Sequence, residues 1–150
     1  MLLGDLLINK GLITAVILEE ALREQKSSGD FLGAILVKRG RIREEDLLKV
    51  LSEQFGIPLV NFKIEPIDWN ITMRFSSALV LDYHCLPFRE DDSGITVAIQ
   101  NPLDALAVSR AEKEAKNVRV KLVLASAKDM RIAEDAYRHR LGQKIRKLLE

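Results

Sequence analysis

Apolar residues in the first third of the chain recur at helical rather than strand spacing. Leu3, Leu6 and Leu7 share one face of a short helix, and Gly11 stands where a left-handed residue stops it. Thr14 is placed to cap a second helix, whose apolar positions Val16, Ile17, Ala21 and Leu22 keep the 3.6-residue period. After the turn-rich spacer Lys26-Ser27-Ser28-Gly29-Asp30 the pattern starts again. Leu32, Ile35 and Leu36 lead to Gly40, and Asp46, Leu47, Val50 and Leu51 lead to Gln54. Glu44, Glu45 and Asp46 put negative charge in the first turn of the fourth helix, where the dipole favours it. Gly33 follows Gly4 by 29 positions, and the same offset separates Gly40 from Gly11 and Gln54 from Gln25. Two copies in register predict one supersecondary unit used twice, with its hydrophobic faces meeting and two similar surfaces presented. Gly56 and Pro58 end this lobe, expected over residues 1–57.

From Leu59 onward strands alternate with helices. Leu59-Val60-Asn61-Phe62 reads as a short strand, and Pro66, Trp69 and Asn70 mark an irregular connection. Ser76 or Ser77 caps a helix running to about Tyr83, and Cys85 to Arg89 is extended. Asp91-Asp92-Ser93-Gly94 makes a hairpin turn into a strand over Ile95 to Ile99. Asn101-Pro102 opens a helix reaching about Lys116, and Val118 to Leu124 is a strand. Ser126-Ala127-Lys128-Asp129 fits a capping box for a last helix through about Tyr137. The expected class is α+β: a lobe of four short helices in tandem repeat, then a small α/β lobe over 58–138. That second lobe has a mixed sheet of about three strands with helices on it. Arg140, Lys144, Arg146 and Lys147 make 139–150 a basic helical tail or linker to a following domain.

Composition narrows the function. A formal net charge of +1 argues against a general nucleic-acid binder, which carries a strongly basic face. The single cysteine, Cys85, excludes an intramolecular disulfide and fits a reducing, cytoplasmic compartment. No apolar run approaches the roughly 20 residues that span a bilayer, and Gly4, Asp5, Asn9 and Lys10 interrupt any leader pattern. Direct membrane insertion is therefore not expected. The chain has no glycine-rich phosphate loop, no His-Glu-x-x-His, no cysteine pair for zinc and no Gly-x-Ser-x-Gly elbow. His84 and His139 lie in different segments, and nothing supplies a base to Ser76 or Ser77. Neither a catalytic site nor a metal site is expected in this chain.

The duplicated unit resembles the amino-terminal domain of the type II secretion and type IV pilus assembly ATPases. Their twenty-four-residue motif, with Arg-Leu-Gly at its start and Gln at its end, occurs twice around a five-residue spacer. Here the copies run from Leu2 to Gln25 and from Phe31 to Gln54, around Lys26 to Asp30. Similar words continue at Tyr83-His84-Cys85-Leu86-Pro87-Phe88, Asn101-Pro102-Leu103-Asp104 and Leu124-Ala125-Ser126. The resemblance implies a non-catalytic regulatory and docking module preceding the ATPase core of the same polypeptide. It implies a partner too, the cytoplasmic part of an inner-membrane assembly protein, which would hold the module peripherally at that membrane. No cofactor is implied, but a subset of the family binds cyclic di-GMP across the paired motifs. For that ligand the matching positions are Leu3, Gly4, Gly11, Leu18, Leu22 and Gln25, with Leu32, Gly33, Gly40, Leu47, Leu51 and Gln54.

A ligand with two guanines and pseudo-two-fold shape suits two copied surfaces, and Gln both donates and accepts at a polar purine edge. Three positions depart from the motif. Leu2 and Phe31 replace the opening Arg, a planar cation that stacks on bases and pairs with phosphate, and Arg41 replaces an aliphatic. The motif residues also have purely structural readings. Leucines at helical spacing form cores, glycines at helix ends are stops, and Gln25 and Gln54 can cap local backbone groups. Asp104 either reaches a guanine edge or caps its own helix.

Overall fold

A computed structural model describes residues 2–150 and divides the chain between Gln54 and Phe55 into two compact units. Among the described residues it has eight helices and a three-stranded mixed sheet, an α+β fold.

The first unit consists of α1 (Leu3–Asn9), α2 (Ala15–Ser28), α3 (Leu32–Lys38) and α4 (Glu44–Phe55). Thr14 caps α2, its hydroxyl accepting from the Ile17 N–H at 3.3 Å. α1 and α3 stop in the same way. Gly11 and Gly40 take φ of +72° and +68°, conformations that cost a side chain and suit glycine. That turn lets the Leu12 N–H reach Leu7 O at 3.0 Å and the Arg41 N–H reach Leu36 O at 2.9 Å. Each satisfies an otherwise orphaned helix carbonyl, and the two Schellman closures are 29 residues apart. The core draws on both copies at equivalent positions: Leu3 with Leu32, Leu7 with Leu36, Ile13 with Ile42, and Ala21 with Val50.

The second unit contains α5 (Trp69–Thr72), α6 (Ser77–Leu81), β1 (Leu86–Asp91), β2 (Gly94–Ile99), α7 (Ala105–Ala115), β3 (Val120–Leu124) and α8 (Ala127–Leu149). β1 and β2 form an antiparallel hairpin closed at Asp91 and Gly94, and α7 crosses over to place β3 parallel to β2. Leu86, Phe88, Val80, Ala98, Met130 and Tyr137 are buried together, with Phe62 edge-on to Phe88 at 5.2 Å between centroids.

Several boundaries differ from the sequence expectation, each for a local reason. Leu59 to Phe62 is not a strand: only Leu59 bridges Leu124, and the Asn61 side chain accepts from the Lys63 N–H and turns the chain. The connection around Trp69 holds the short helix α5, because Asp68 accepts from the Asn70 N–H as its cap. α6 ends at Leu81, short of Tyr83. α7 starts at Ala105, after Asn101 engages the Leu103 N–H and Asp104 caps the helix through the Ala107 N–H at 3.0 Å. β3 begins at Val120. α8 continues past Tyr137 to Leu149 without a break, so the basic tail is the second half of one helix.

Candidate functional site

Within the first unit the motif residues divide into two groups. Leu3, Leu32, Leu47 and Leu51 are buried in the core. Gly4 and Gly33 are packing positions: a Cβ at Gly4 would lie 2.6 Å from Leu18 Cδ1, and one at Gly33 would lie 2.8 Å from Leu47 Cδ2. The same Gly–Leu contact thus forms twice, 29 residues apart, and the ring of Phe31 also lies over Gly33. Gly11 and Gly40 face open space at their helix ends. Leu18 is half-buried, Leu22 is 39% exposed, and Gln54 is exposed at the end of α4. Gln25 donates from Nε2 to the Asp30 carbonyl at 3.1 Å, tying α2 to the spacer. The structure therefore joins Gly4 to Leu18 and Gly33 to Leu47, while Leu18, Leu22, Gln25 and Gln54 keep accessible surface.

The unit also carries a pair of grooves that motif matching does not point to. One, of about 410 Å³, lies between Ile17, Glu20, Ala21 and Glu24 of α2 and the cations Arg39 and Arg41. The other, of about 350 Å³, lies between Asp46, Lys49, Val50 and Glu53 of α4 and Lys10 and Leu12. Every one of these residues has its counterpart in the other groove at the repeat offset. An ion pair spans each: Arg39 Nε to Glu24 Oε1 at 2.7 Å, and Lys10 Nζ to Glu53 Oε2 at 3.4 Å. The Gly–Leu contacts join helices within a copy, whereas these ion pairs join the first helix of one copy to the second helix of the other. That arrangement is pseudo-two-fold. The symmetry breaks at Arg41, which pairs with Glu20 at 3.6 Å where the equivalent groove has Leu12 and Lys49. The sequence signal for the grooves was the recurrence of opposite charges, Lys10 with Glu53 and Arg39 with Glu24, at the same offset as the glycines.

In the second unit several polar groups serve structure. Asp104 caps α7, and His84 Nδ1 lies 2.7 Å from the buried Glu134 Oε1. Burial, with Asp104 and Glu114 nearby, pushes the Cys85 thiol up to about 12, so it is no nucleophile at neutral pH. Burial pushes the Glu114 carboxyl up, but the Ser76 N–H and hydroxyl and the Arg110 guanidinium outweigh it and hold the group below its ordinary range. The Ser93 hydroxyl and then Lys121 hold Asp91 well below the usual carboxylate range at the hairpin. Among the described residues no group of three His, Cys, Asp or Glu is placed to hold a metal, and no helix is long and apolar enough to cross a membrane.

Residues 55–144 match the MshEN domain family. Type IV pilus assembly ATPase PilB of Myxococcus xanthus is 30% identical over 135 residues, covering 90% of this chain and 24% of PilB. PilB of Thermus thermophilus is 36% identical over 110 residues, covering 72% of this chain and 12% of that protein. The chain thus spans a quarter or less of these relatives. A solved structure of MshE with cdg superposes with a TM-score of 0.80 at 25% identity, covering 91% of this chain and 99% of that one.

Proposed function

Because the chain belongs to the MshEN domain family, we propose that it is a non-catalytic regulatory module of a pilus- or secretion-type motor ATPase, and that its duplicated lobe takes cyclic di-GMP. The observation that carries this reading is the pseudo-two-fold first unit in a chain similar along most of its length to MshE with cdg. A ligand made of two like halves suits a duplicated unit, and the apolar surface here belongs to the first copy because Leu47 and Leu51 are buried. Leu18 and Leu22 offer apolar surface for a purine, and Gln25 and Gln54 offer amides for its edge. Phe31, fixed against Gly33, supplies a ring for stacking in place of the motif arginine, which accounts for the loss of a cation there without the loss of a platform. Asp104 is committed to its cap and takes no part.

Isothermal titration with cyclic di-GMP tests this. Saturable binding with a dissociation constant of about a micromolar, roughly 8 kcal/mol, is expected, lost in the double variant Gln25→Ala with Gln54→Ala. Leu2→Arg is expected to tighten it by restoring a cation to the first copy. No saturable heat, or heat unchanged in the double variant, overturns the ligand reading.

A second reading is favoured by Leu2, which is 78% exposed where the motif has Arg. An apolar side chain in water suits a protein partner better than a nucleotide, so the module then docks on the cytoplasmic part of an inner-membrane assembly protein. Capture of such a protein from membranes of the host, lost in Leu2→Asp while the nucleotide gives no heat, would establish it. A phosphate-loop ATPase encoded in frame after residue 150 would establish the motor assignment under either reading.

A further inference from the structure

An open three-stranded sheet has two outer edges, and in the second unit they are not covered alike. On the β1 side the Phe88 carbonyl accepts from the Asp68 N–H at 2.9 Å, and the Pro87 carbonyl accepts from the Thr72 hydroxyl at 2.6 Å. β3 is covered only at its end. Leu124 donates to the Pro58 carbonyl and accepts from the Val60 N–H, both at 2.8 Å, where Leu59 bridges it in parallel. Alternate residues of a strand in a parallel ladder bond to one neighbour, and the others face away from it. The Arg119 carbonyl and the Ala125 N–H both bond to β2, which fixes the phase: Val120, Leu122 and Leu124 face outward. Among the described residues nothing bonds the outward N–H and C=O of Val120 or Leu122. These groups lie in line with the segment that the chain itself adds at Pro58 to Val60, and they are a template for one more extended chain.

A groove of about 400 Å³ runs beside this edge, lined by Ala105, Val108, Ser109 and Glu112 of α7 with Pro102 and Leu122. Strand alternation puts Val120 on the Leu122 face. Arg119 and Lys121 share the opposite face with Val123, which is buried with Met130 and Tyr137 of α8. A strand added here meets apolar surface on one face and cations on the other. Lys121 already pairs with Asp91, but Arg119 is exposed and has no carboxylate within 4.0 Å among the described residues. Glu112 lines the groove and disfavours further carboxylates there, so acidic residues of an added strand belong on the Arg119 face. The same charges disfavour a second copy of the chain. The antiparallel register that bonds Val120 of one copy to Leu122 of the other sets Lys121 opposite Lys121, and like charges directly across a strand pair are destabilising.

We propose that the outer edge of β3 is a strand-addition site for a partner protein, taking an extended segment in which apolar and acidic residues alternate. The apolar side chains lie over Leu122 and the α7 groove, and an acidic one pairs with Arg119. The site lies within the second unit and rests on neither reading of the first.

The probe is a peptide of about six residues, alternating valine and glutamate and blocked at both ends, added to the isotope-labelled 150-residue chain. Saturable changes in the amide resonances of Val120 and Leu122 are expected, with a dissociation constant below about a millimolar. At saturation both amides should exchange with solvent at least about tenfold more slowly. Methylating the backbone nitrogens of the valines, or of the glutamates, removes the donors along one side of the peptide. One of these two peptides should fail to bind and the other should still bind. Lysines for glutamates should weaken binding at least about fivefold, as should Arg119→Glu, while Arg23→Glu leaves it unchanged. Both substituted positions are exposed, so folding is not at stake. The proposal is overturned if no saturable change appears, if the changes fall outside β3 and the α7 groove, or if the two methylated peptides behave alike. It is equally overturned if the basic peptide matches the acidic one or Arg119→Glu has no effect. Dimers in sedimentation that protect the Val120 and Leu122 amides without peptide would overturn it in favour of a second copy of the chain.

Discussion

Truncating the last leucine of each repeat copy should have unequal costs, although Leu22 and Leu51 are equivalent in sequence. Leu51 is fully buried and Leu22 is 39% exposed. Leu→Ala removes three carbons, or about 2.4 kcal/mol of transfer free energy at roughly 0.8 kcal/mol per buried methylene. At Leu51 all of that is lost and a cavity is left, which brings the cost to about 3–4 kcal/mol. At Leu22 about six-tenths of it is lost, water occupies the vacated volume, and Ala adds a few tenths in helix propensity, leaving about 1 kcal/mol. The gap of about 2–3 kcal/mol corresponds to roughly 5–10 °C in Tm for a chain of this size. Differential scanning calorimetry of the two variants measures it and shows whether the units melt together. Cyclic di-GMP titration of the same proteins completes the test, because Leu22→Ala should weaken the ligand while lowering Tm by only about 2–4 °C. Equal shifts, or a larger one at Leu22, would refute the division of labour in which Leu51 supplies core and Leu22 keeps apolar surface for binding.

The motif glycines should separate in the same way. Gly33→Ala puts a methyl against Leu47 and the Phe31 ring, both held in place, and should destabilise by about 1–2 kcal/mol after a gain of up to about 1 kcal/mol in helix propensity. Gly4→Ala displaces only the half-buried Leu18 and should fall within about 0.5 kcal/mol of the parent in urea titrations; equal losses would contradict the packing role. Glu114 has a lowered folded-state pKa, so its contribution to stability is present at neutral pH and is lost as pH falls through that lowered value. Melting the parent and Glu114→Gln from neutral pH down to about 3 should give curves that converge in acid, and parallel curves would refute the role assigned to Ser76 and Arg110.

Local chemistry made much of this chain readable in advance. Thr14, Ser76 and Ser126 cap α2, α6 and α8 with their own hydroxyls, and Gly11 and Gly40 close α1 and α3 in left-handed turns. The Asp91-to-Gly94 turn sets the hairpin register. Each of these is decided within a few residues, so the sequence shows it without knowledge of the rest. Errors arose where a competing local group lay a residue or two away. Asp104 rather than Asn101-Pro102 starts α7, and the Asn61 side chain diverts a run whose composition favours a strand.

The sequence alone determined that the first unit is one helix pair written twice and that the chain carries the tandem motif of its family. Only the tertiary structure decided what each motif residue does. Leu22 and Leu51 are the same letter at the same register, yet one keeps surface and the other has none, because burial depends on which elements lie across a helix face. The same reason hid how the matched grooves close, although their charges recur at the repeat offset. Each brings together helices distant in sequence, and no local pattern records which charges will face one another once those helices pack.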